Sequence, residues 1–282
     1  MPLISPRLWI VATPLGNPDD LSLRAREVLA AADLILAEDT RRAARLCAQC
    51  GLEGRRFLSF HDHNETERQE EVLRLLRNGH SLALISDAGT PLLADPGYRL
   101  VRACRREGLP VSPIPGPSAP AAALSAAGIP PLPYTFLGFL PRDTSGRENL
   151  LTAFAHVPGS LVFFERKDRL GESLAVAARI LGPREVAVCR ELTKTHEEFI
   201  LLRLENSQTM LPDTLLGEIT VIIGPPEVVE RTPRPQVENL LHMEMQHGGK
   251  PRQVARRVQE AVHGWSGKEI YALIANHNKP DA

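Results

Sequence analysis

Ser81-Leu82-Ala83-Leu84-Ile85-Ser86-Asp87-Ala88-Gly89-Thr90-Pro91-Leu92-Leu93-Ala94-Asp95-Pro96-Gly97-Tyr98 is a short apolar strand pattern running straight into a loop of glycine, proline and carboxylate, with a helical pattern beyond it. The carboxyl end of a strand is where an open α/β sheet keeps a ligand. Gly89 and Gly97 let a backbone approach a bound molecule closely, Pro91 and Pro96 fix the turn, and Asp87 and Asp95 add charge. The loop reads as a cofactor clamp.

The same plan extends outward on both sides. Leu8 to Ala12 is a strand pattern broken by Thr13-Pro14-Leu15-Gly16-Asn17-Pro18, and Ser22 can cap the helix carrying Leu23, Val28 and Leu29. Leu34 to Ala37 ends in Glu38-Asp39-Thr40-Arg41-Arg42, with a helix following until Gly51. Phe57 to Phe60 runs into His61-Asp62-His63-Asn64; Asn64 is placed to cap a helix, with Glu67 completing an approximate capping box and Gly79 ending it. Pro96 suits the first turn of a helix to about Glu107. A strand near Val111 to Ile114 follows, then a Pro/Gly loop in which Ser118 is the natural N-cap of an Ala-rich helix ending at Gly128. This alternation predicts a mainly parallel sheet covered on both faces. Its three Pro/Gly loops, Thr13 to Pro18, Ser86 to Gly97 and Pro113 to Pro120, converge on one edge.

A second α/β series comprises strands near 134–139, 160–164, 185–189 and 218–223, helices to about 155 and over 168–181, and an irregular stretch over 191–200. After Pro225-Pro226 the composition turns polar, and Arg231 to Pro235 reads as a linker. Val254, Val258 and Val262 share a helical face, and Ser266-Gly267-Lys268-Glu269 has capping-box spacing before Ile270, Leu273 and Ile274, so two short helices are expected in the tail. The expected domains are an N-terminal α/β domain over 1–116, a C-terminal α/β domain over 117–228 with a mainly parallel or mixed sheet, and a linker with a small helical module over 229–282.

The 282-residue chain is 43% hydrophobic and 24% charged, an ordinary balance for a protein with a sizeable core. Its net charge of -1 supplies no global field for nucleic acid, so any RNA-binding surface must be a local patch. No run of about 18 apolar residues occurs, and Met1 to Arg7 lacks the basic and apolar regions of a leader, which predicts a cytoplasmic protein without a membrane span. Cys47-Ala48-Gln49-Cys50 has no second cysteine or histidine pair to complete a zinc site and reads as two ordinary thiols. His61 and His63 would point the same way in an extended chain, but no third ligand stands at defined spacing, so no metal is expected. Neither the dinucleotide fingerprint GxGxxG nor the phosphate loop GxxxxGK[ST] is present, which disfavours the usual nicotinamide, flavin or ATP modes. Arg41, Arg42 and Arg45 form one candidate phosphate-binding patch, and Arg252, Arg256, Arg257 and Lys268 form another on the tail. Trp265 and Tyr271 are the only stacking aromatics in the tail, which favours recognition of shape and phosphates.

Val11-Ala12-Thr13-Pro14-Leu15-Gly16-Asn17, Ala37-Glu38-Asp39-Thr40-Arg41, the Ser86 to Tyr98 loop, Pro115-Gly116-Pro117-Ser118 and Glu191-Leu192-Thr193-Lys194-Thr195 closely resemble the ribosomal RNA small subunit methyltransferase I family of the tetrapyrrole methylase superfamily. The likeness runs in order over roughly residues 8 to 225, and the tail resembles the family's small C-terminal module. It implies S-adenosylmethionine as cofactor, 2'-O-methylation of a cytidine ribose in the decoding region of small-subunit ribosomal RNA, two α/β domains with the cofactor in the cleft between them, and a homodimer. Position by position, it implies a cofactor site of Pro14, Asp87, Ala88, Gly89, Thr90, Pro91, Ser118 and Ala119, joined from the second domain by Phe164 and Leu192. Phe163-Phe164-Glu165-Arg166-Lys167 departs from the family by being more basic.

Methyl transfer from a sulfonium needs alignment above all, helped by a base or a cation near the 2'-oxygen. Glu38, Asp39, Arg41, His61, His63, Glu191 and Lys194 fall near strand ends, and placement alone does not choose among them. Two other readings stay open: a methyltransferase of the same superfamily acting on a tetrapyrrole ring, and a ribosome-binding factor without turnover. The His/Asp/Asn cluster and the basic tail fit a tetrapyrrole poorly.

Overall fold

The computed structural model describes residues 6–212, 215–227, 232–262 and 264–277; the N-terminal start and the beginning of the linker expected at 231–235 lie outside them. Tertiary contacts divide the chain into Met1–Pro226 and Glu227–Ala282.

The first unit opens with five parallel strands, β1 (Leu8–Val11), β2 (Leu34–Ala37), β3 (Phe57–Ser59), β4 (Leu82–Ile85) and β5 (Val111–Ile114), in the order β3-β2-β4-β1-β5. Between them run α1 (Leu23–Ala31), α2 (Thr40–Gln49), α3 (Glu65–Arg77) and α4 (Tyr98–Arg106). Successive strand residues face opposite sides. Ala83 and Ile85 accordingly pack with Trp9, Val11 and residues of α1 and α2, while Leu82 and Leu84 pack with Leu36 and residues of α3 and α4. Burial on both faces is what makes these strands continuous apolar runs.

The expected cap on α1 is formed, the Ser22 hydroxyl accepting from the Ala25 amide at 3.1 Å; Asp39, not singled out as a cap, does the same for α2, its carboxylate accepting from the Arg41 amide at 2.9 Å. Two expectations around this sheet differ. Asn64 precedes α3 but makes no cap bond; its side-chain oxygen accepts from the His61 amide at 2.8 Å and its amide donates to the Ser59 carbonyl at 3.1 Å, so it ties the loop after β3 together. Pro96 lies outside α4, which starts after Gly97; that residue sits at φ 121, where a Cβ would stand 2.6 Å from Leu84.

A second sheet follows α5 (Ala119–Ala126). It comprises β6 (Tyr134–Phe139), β7 (Ser160–Glu165), β8 (Glu185–Arg190), β9 (Glu198–Arg203) and β10 (Ile219–Ile223), in the order β6-β7-β10-β8-β9. Only β6 and β7 pair in parallel, so the sheet is mixed. The stretch expected to be irregular thus contains the start of an edge strand, β9. α6 (Thr144–Phe154) and α7 (Leu170–Leu181) cover one face through Leu151, Leu174 and Ala177; α5 covers the other through Ala123 and Leu124. A four-residue α8 (Ser207–Met210) precedes β10.

The second unit holds α9 (Arg234–Gln246), α10 (Pro251–Ala261) and α11 (Gly267–His277), one helix more than expected, around Val237, Leu241, Val254, Val258, Ile270 and Ile274. The expected capping box is formed: the Ser266 amide donates to Glu269 at 2.8 Å and the Glu269 amide to the Ser266 hydroxyl at 3.3 Å. No helix among the described residues is long and apolar enough to cross a membrane.

Candidate functional site

β1 and β4 are neighbours, yet the helices that follow them leave to opposite faces, α1 against Val11 and Ile85 and α4 against Leu82 and Leu84. Loops that part in this way open a crevice at the carboxyl edge of a parallel sheet. Here the crevice is laced together. The Thr13 amide donates to the Gly89 carbonyl at 2.9 Å, and the Gly89 amide donates back to Thr13 at 3.1 Å. The buried Thr13 hydroxyl donates to the Ser86 carbonyl at 3.2 Å, and the Thr90 hydroxyl to the Pro117 carbonyl at 2.9 Å, so all three Pro/Gly loops are joined. Gly89 takes φ +77, and a Cβ there would meet Leu15 at 3.0 Å. The clamp therefore needs glycine at this point.

A cavity of ≈ 490 Å³ lies against this clamp, within the range of small-molecule sites. One wall is Asp87, Ala88, Gly89 and Thr90 with Leu93, Ala94 and Asp95; Ser118, Ala119 and Pro120 at the start of α5 form the floor; and Phe139, Phe164 to Asp168, Leu192 and Gly217 to Thr220 close it from the second sheet. The Phe164 ring stands edge to face with Phe136 and Phe139, at centroid distances of 4.9 and 5.4 Å. Ser118 occupies the N-cap position of α5, but its hydroxyl makes no cap bond.

A second cavity, ≈ 590 Å³ and polar, is lined by Glu38 to Arg42, Ser59, His61, Asp62, His63 and Asp87. Asp87 lines both cavities. Arg42 Nη1 holds Asp87 Oδ2 at 2.9 Å, linking the first turn of α2 to the clamp. Partial burial, and next the charge of Asp87, raise the proton affinity of Glu38. Burial, followed by the charges of Glu38 and Asp87, pushes Asp95 up to about 6. Asp39 goes the other way, its carboxyl lowered by hydrogen bonding from Arg41. The His61 and His63 rings meet edge to face at 5.9 Å, and the buried His61 Nδ1 has no hydrogen-bond partner. Among the described residues no group of His, Cys, Asp or Glu is arranged to hold a metal.

Of the ten residues that the family likeness assigned to the cofactor, Asp87, Ala88, Gly89, Thr90, Ser118, Ala119, Phe164 and Leu192 line the first cavity. Pro14 and Pro91 are buried and do not. Glu38, Asp39, Arg41 and His61 come together in the second cavity. Lys194 stands apart from them: its Nζ bonds Glu191 Oε1 at 3.0 Å and Glu218 Oε2 at 3.1 Å, and its stem packs where a Cβ on Gly16 would be. Glu191 and Thr193 on the same loop hold φ of 50 and 65, and the Thr193 hydroxyl accepts from the Asn17 amide at 3.2 Å. This strained loop fastens the second sheet to the loop after β1. Arg42 joins the second cavity, whereas Arg45 is exposed on α2 outside it. In the second unit Arg256 pairs with Glu260 at 3.1 Å and Arg257 with Glu244 at 2.6 Å; Arg252 and Lys268 are exposed. Sequence reasoning missed Phe139, Arg166 to Asp168 and Gly217 to Thr220. A basic turn directly after a strand was the available signal for Arg166 and Lys167.

Residues 7–207 match the family model for Tetrapyrrole (Corrin/Porphyrin) Methylases. A ribosomal RNA small subunit methyltransferase I from Micromonospora olivasterospora is 40% identical over 270 residues, covering 95% of this chain and 86% of the relative. Its namesake from Escherichia coli O157:H7 is 49% identical over 192 residues, covering 68% and 67%. Among solved structures, the methyltransferase CobJ superposes with TM-score 0.62 at 18% identity, over 80% of this chain and 96% of that one. Uroporphyrin-III C-methyltransferase from Thermus thermophilus, complexed with S-adenosyl homocysteine, gives 0.55 at 21% identity over 77% and 96%.

Proposed function

The chain belongs to the ribosomal RNA small subunit methyltransferase I family of tetrapyrrole methylases, and from that premise we propose that it transfers the methyl group of S-adenosylmethionine to the 2'-oxygen of a cytidine ribose in the decoding region of small-subunit ribosomal RNA. The observation that carries the reading is that Asp87 lines both the cavity behind the clamp and the polar cavity beside it. A donor held in one and an acceptor entering the other would meet there.

The first cavity fits the cofactor. The uncommitted Ser118 hydroxyl and the free amides at the start of α5 suit a carboxylate, Asp87 suits an ammonium, and Phe164, Leu192 and Ile219 offer an apolar bed for a purine. When bound, S-adenosylmethionine supplies a methyl group already activated on a sulfonium. Asp87, oriented by Arg42, and Glu38 then face the entering ribose. Glu38 takes the hydroxyl proton, because its raised proton affinity makes it the better base. Arg41 and Arg42 hold the backbone of the strand in the second cavity. The exposed cations of the second unit, Arg252 and Lys268 first among them, dock the ribosomal particle. The family likeness extends the proposal to a homodimer acting in the cytoplasm, which sedimentation and cell fractionation test.

Incubation with methyl-labelled S-adenosylmethionine and undermethylated small subunits, followed by digestion of the RNA, tests the reaction. Label recovered as 2'-O-methylcytidine or a derivative is expected; no label in the RNA would overturn it.

A further inference from the structure

The turn after β7, Arg166-Lys167-Asp168-Arg169, carries three cations and one acid, and its residues reach the wall of the first cavity. Two of the cations are answered nearby. Arg169 Nε donates to Glu165 at 2.9 Å, and Arg166 Nε pairs with Asp168 at 3.1 Å. Lys167 is exposed, with no ion-pair partner among the described residues.

The turn is anchored from behind. The fully buried Glu165 carboxylate also accepts from the Ser173 hydroxyl at 2.5 Å and the Arg166 amide at 2.8 Å. Arg147, itself buried, donates to Ser173 at 3.2 Å and to Glu172 at 2.9 Å. Buried ion networks add little stability over an apolar packing of the same shape, but they fix geometry. Their effect here is to hold the backbone of an exposed basic turn in one place.

The centre of the site is acidic, with Glu38, Asp87 and Asp95 acting on one another. A polyanionic strand is repelled by that centre unless cations meet its phosphates on each side. Arg41 and Arg42 stand on the side of the second cavity, and on the side of the first the only cations in the wall among the described residues are Arg166 and Lys167. The cofactor does not require them, since its carboxylate is served at Ser118 and the start of α5. We infer that Lys167, seconded by Arg166, contacts a backbone phosphate of the RNA strand on the side of the target nucleotide away from Arg41 and Arg42. This rests on the ribosomal RNA reading given above.

The test measures binding of undermethylated small subunits against salt, alongside cofactor affinity by calorimetry, for the wild type, Lys167→Ala, Lys167→Arg and the double variant Arg166→Ala with Lys167→Ala. Loss of one phosphate contact to a single strand makes the log-log salt slope shallower by about 0.7. That change is expected in Lys167→Ala, at least as much in the double variant, and not in Lys167→Arg, with cofactor affinity held within twofold. An unchanged slope overturns the inference while leaving the methylation reading standing; a fall in cofactor affinity in its place assigns the turn to the cofactor and overturns it too. A wild-type chain that bound no small subunits would remove both.

Discussion

The cavity behind the Ser86–Gly97 loop is walled by Phe139, Phe164, Leu192 and Ile219, whereas its neighbour beyond Asp87 is walled by Glu38, Asp39, Arg41, Arg42, Asp62 and two histidines. The first is lined by backbone fixed through Thr13, Gly89 and Thr90 and by aromatic faces; the second by carboxylate, guanidinium and imidazole side chains. The difference separates two jobs: holding a small molecule by shape and main-chain groups, and handling a polyanion and a proton. Substitutions at residues that line one cavity alone should therefore leave the other's ligand alone, the basic turn Arg166-Lys167 at the rim of the first excepted.

Glu38→Gln gives the largest effect. Loss of a general base lowers kcat by roughly 10²- to 10⁴-fold. Because the base must be ionised to work, wild-type activity rises with pH through the raised value of Glu38, and that rise should flatten in the variant while cofactor affinity stays. A parallel loss of cofactor binding would break the separation. Arg42→Ala comes next. It frees Asp87 from its 2.9 Å partner and removes a phosphate-facing cation, so KM for the RNA should rise about tenfold, the scale of a lost hydrogen bond to a charged group. Ser118→Ala sharpens the comparison from the other side: loss of one hydrogen bond should weaken cofactor binding by about three- to tenfold and leave RNA affinity unchanged, as calorimetry and particle binding would read.

The last effect concerns stability. Folding raises the proton affinity of Asp95 to about 6, so its ionised form opposes folding, with the opposition complete above that pH and absent below the ordinary carboxylate range. Asp95→Asn should melt above the wild type at pH 8, with the gap closing as pH falls through 6 toward 4. A gap that stayed constant with pH would remove Asp95 from the acidic centre.

The clamp side of the first cavity and nearly all of the second were legible because their parts are local, falling in short motifs directly after strands. Ser86 to Gly97 announces itself by composition; elsewhere in the fold Ser22 and the Ser266–Glu269 pair occupy cap positions that a few neighbouring residues define. The aromatic and β10 walls were not legible. Phe139 and Ile219 reach the cavity only through the pairing of β6 and β10 with β7, which sequence spacing does not encode. β9 was lost because it begins with Glu198 after a polar run, although Phe199 and Leu201 alternate within it. α9 was lost because Pro235 and a polar composition outweighed Val237 and Leu241, an i, i+4 pair. Asn64 resembled a cap by type and position, yet the backbone of its own loop competed for its side chain.

The division of labour at Asp87 is tested most directly by a crystal structure of the chain with S-adenosylhomocysteine. The expected density places the purine against Phe164, Leu192 and Ile219, the carboxylate at Ser118, and the sulfur toward Asp87. Density in the polar cavity among Glu38, His61 and His63 would contradict it.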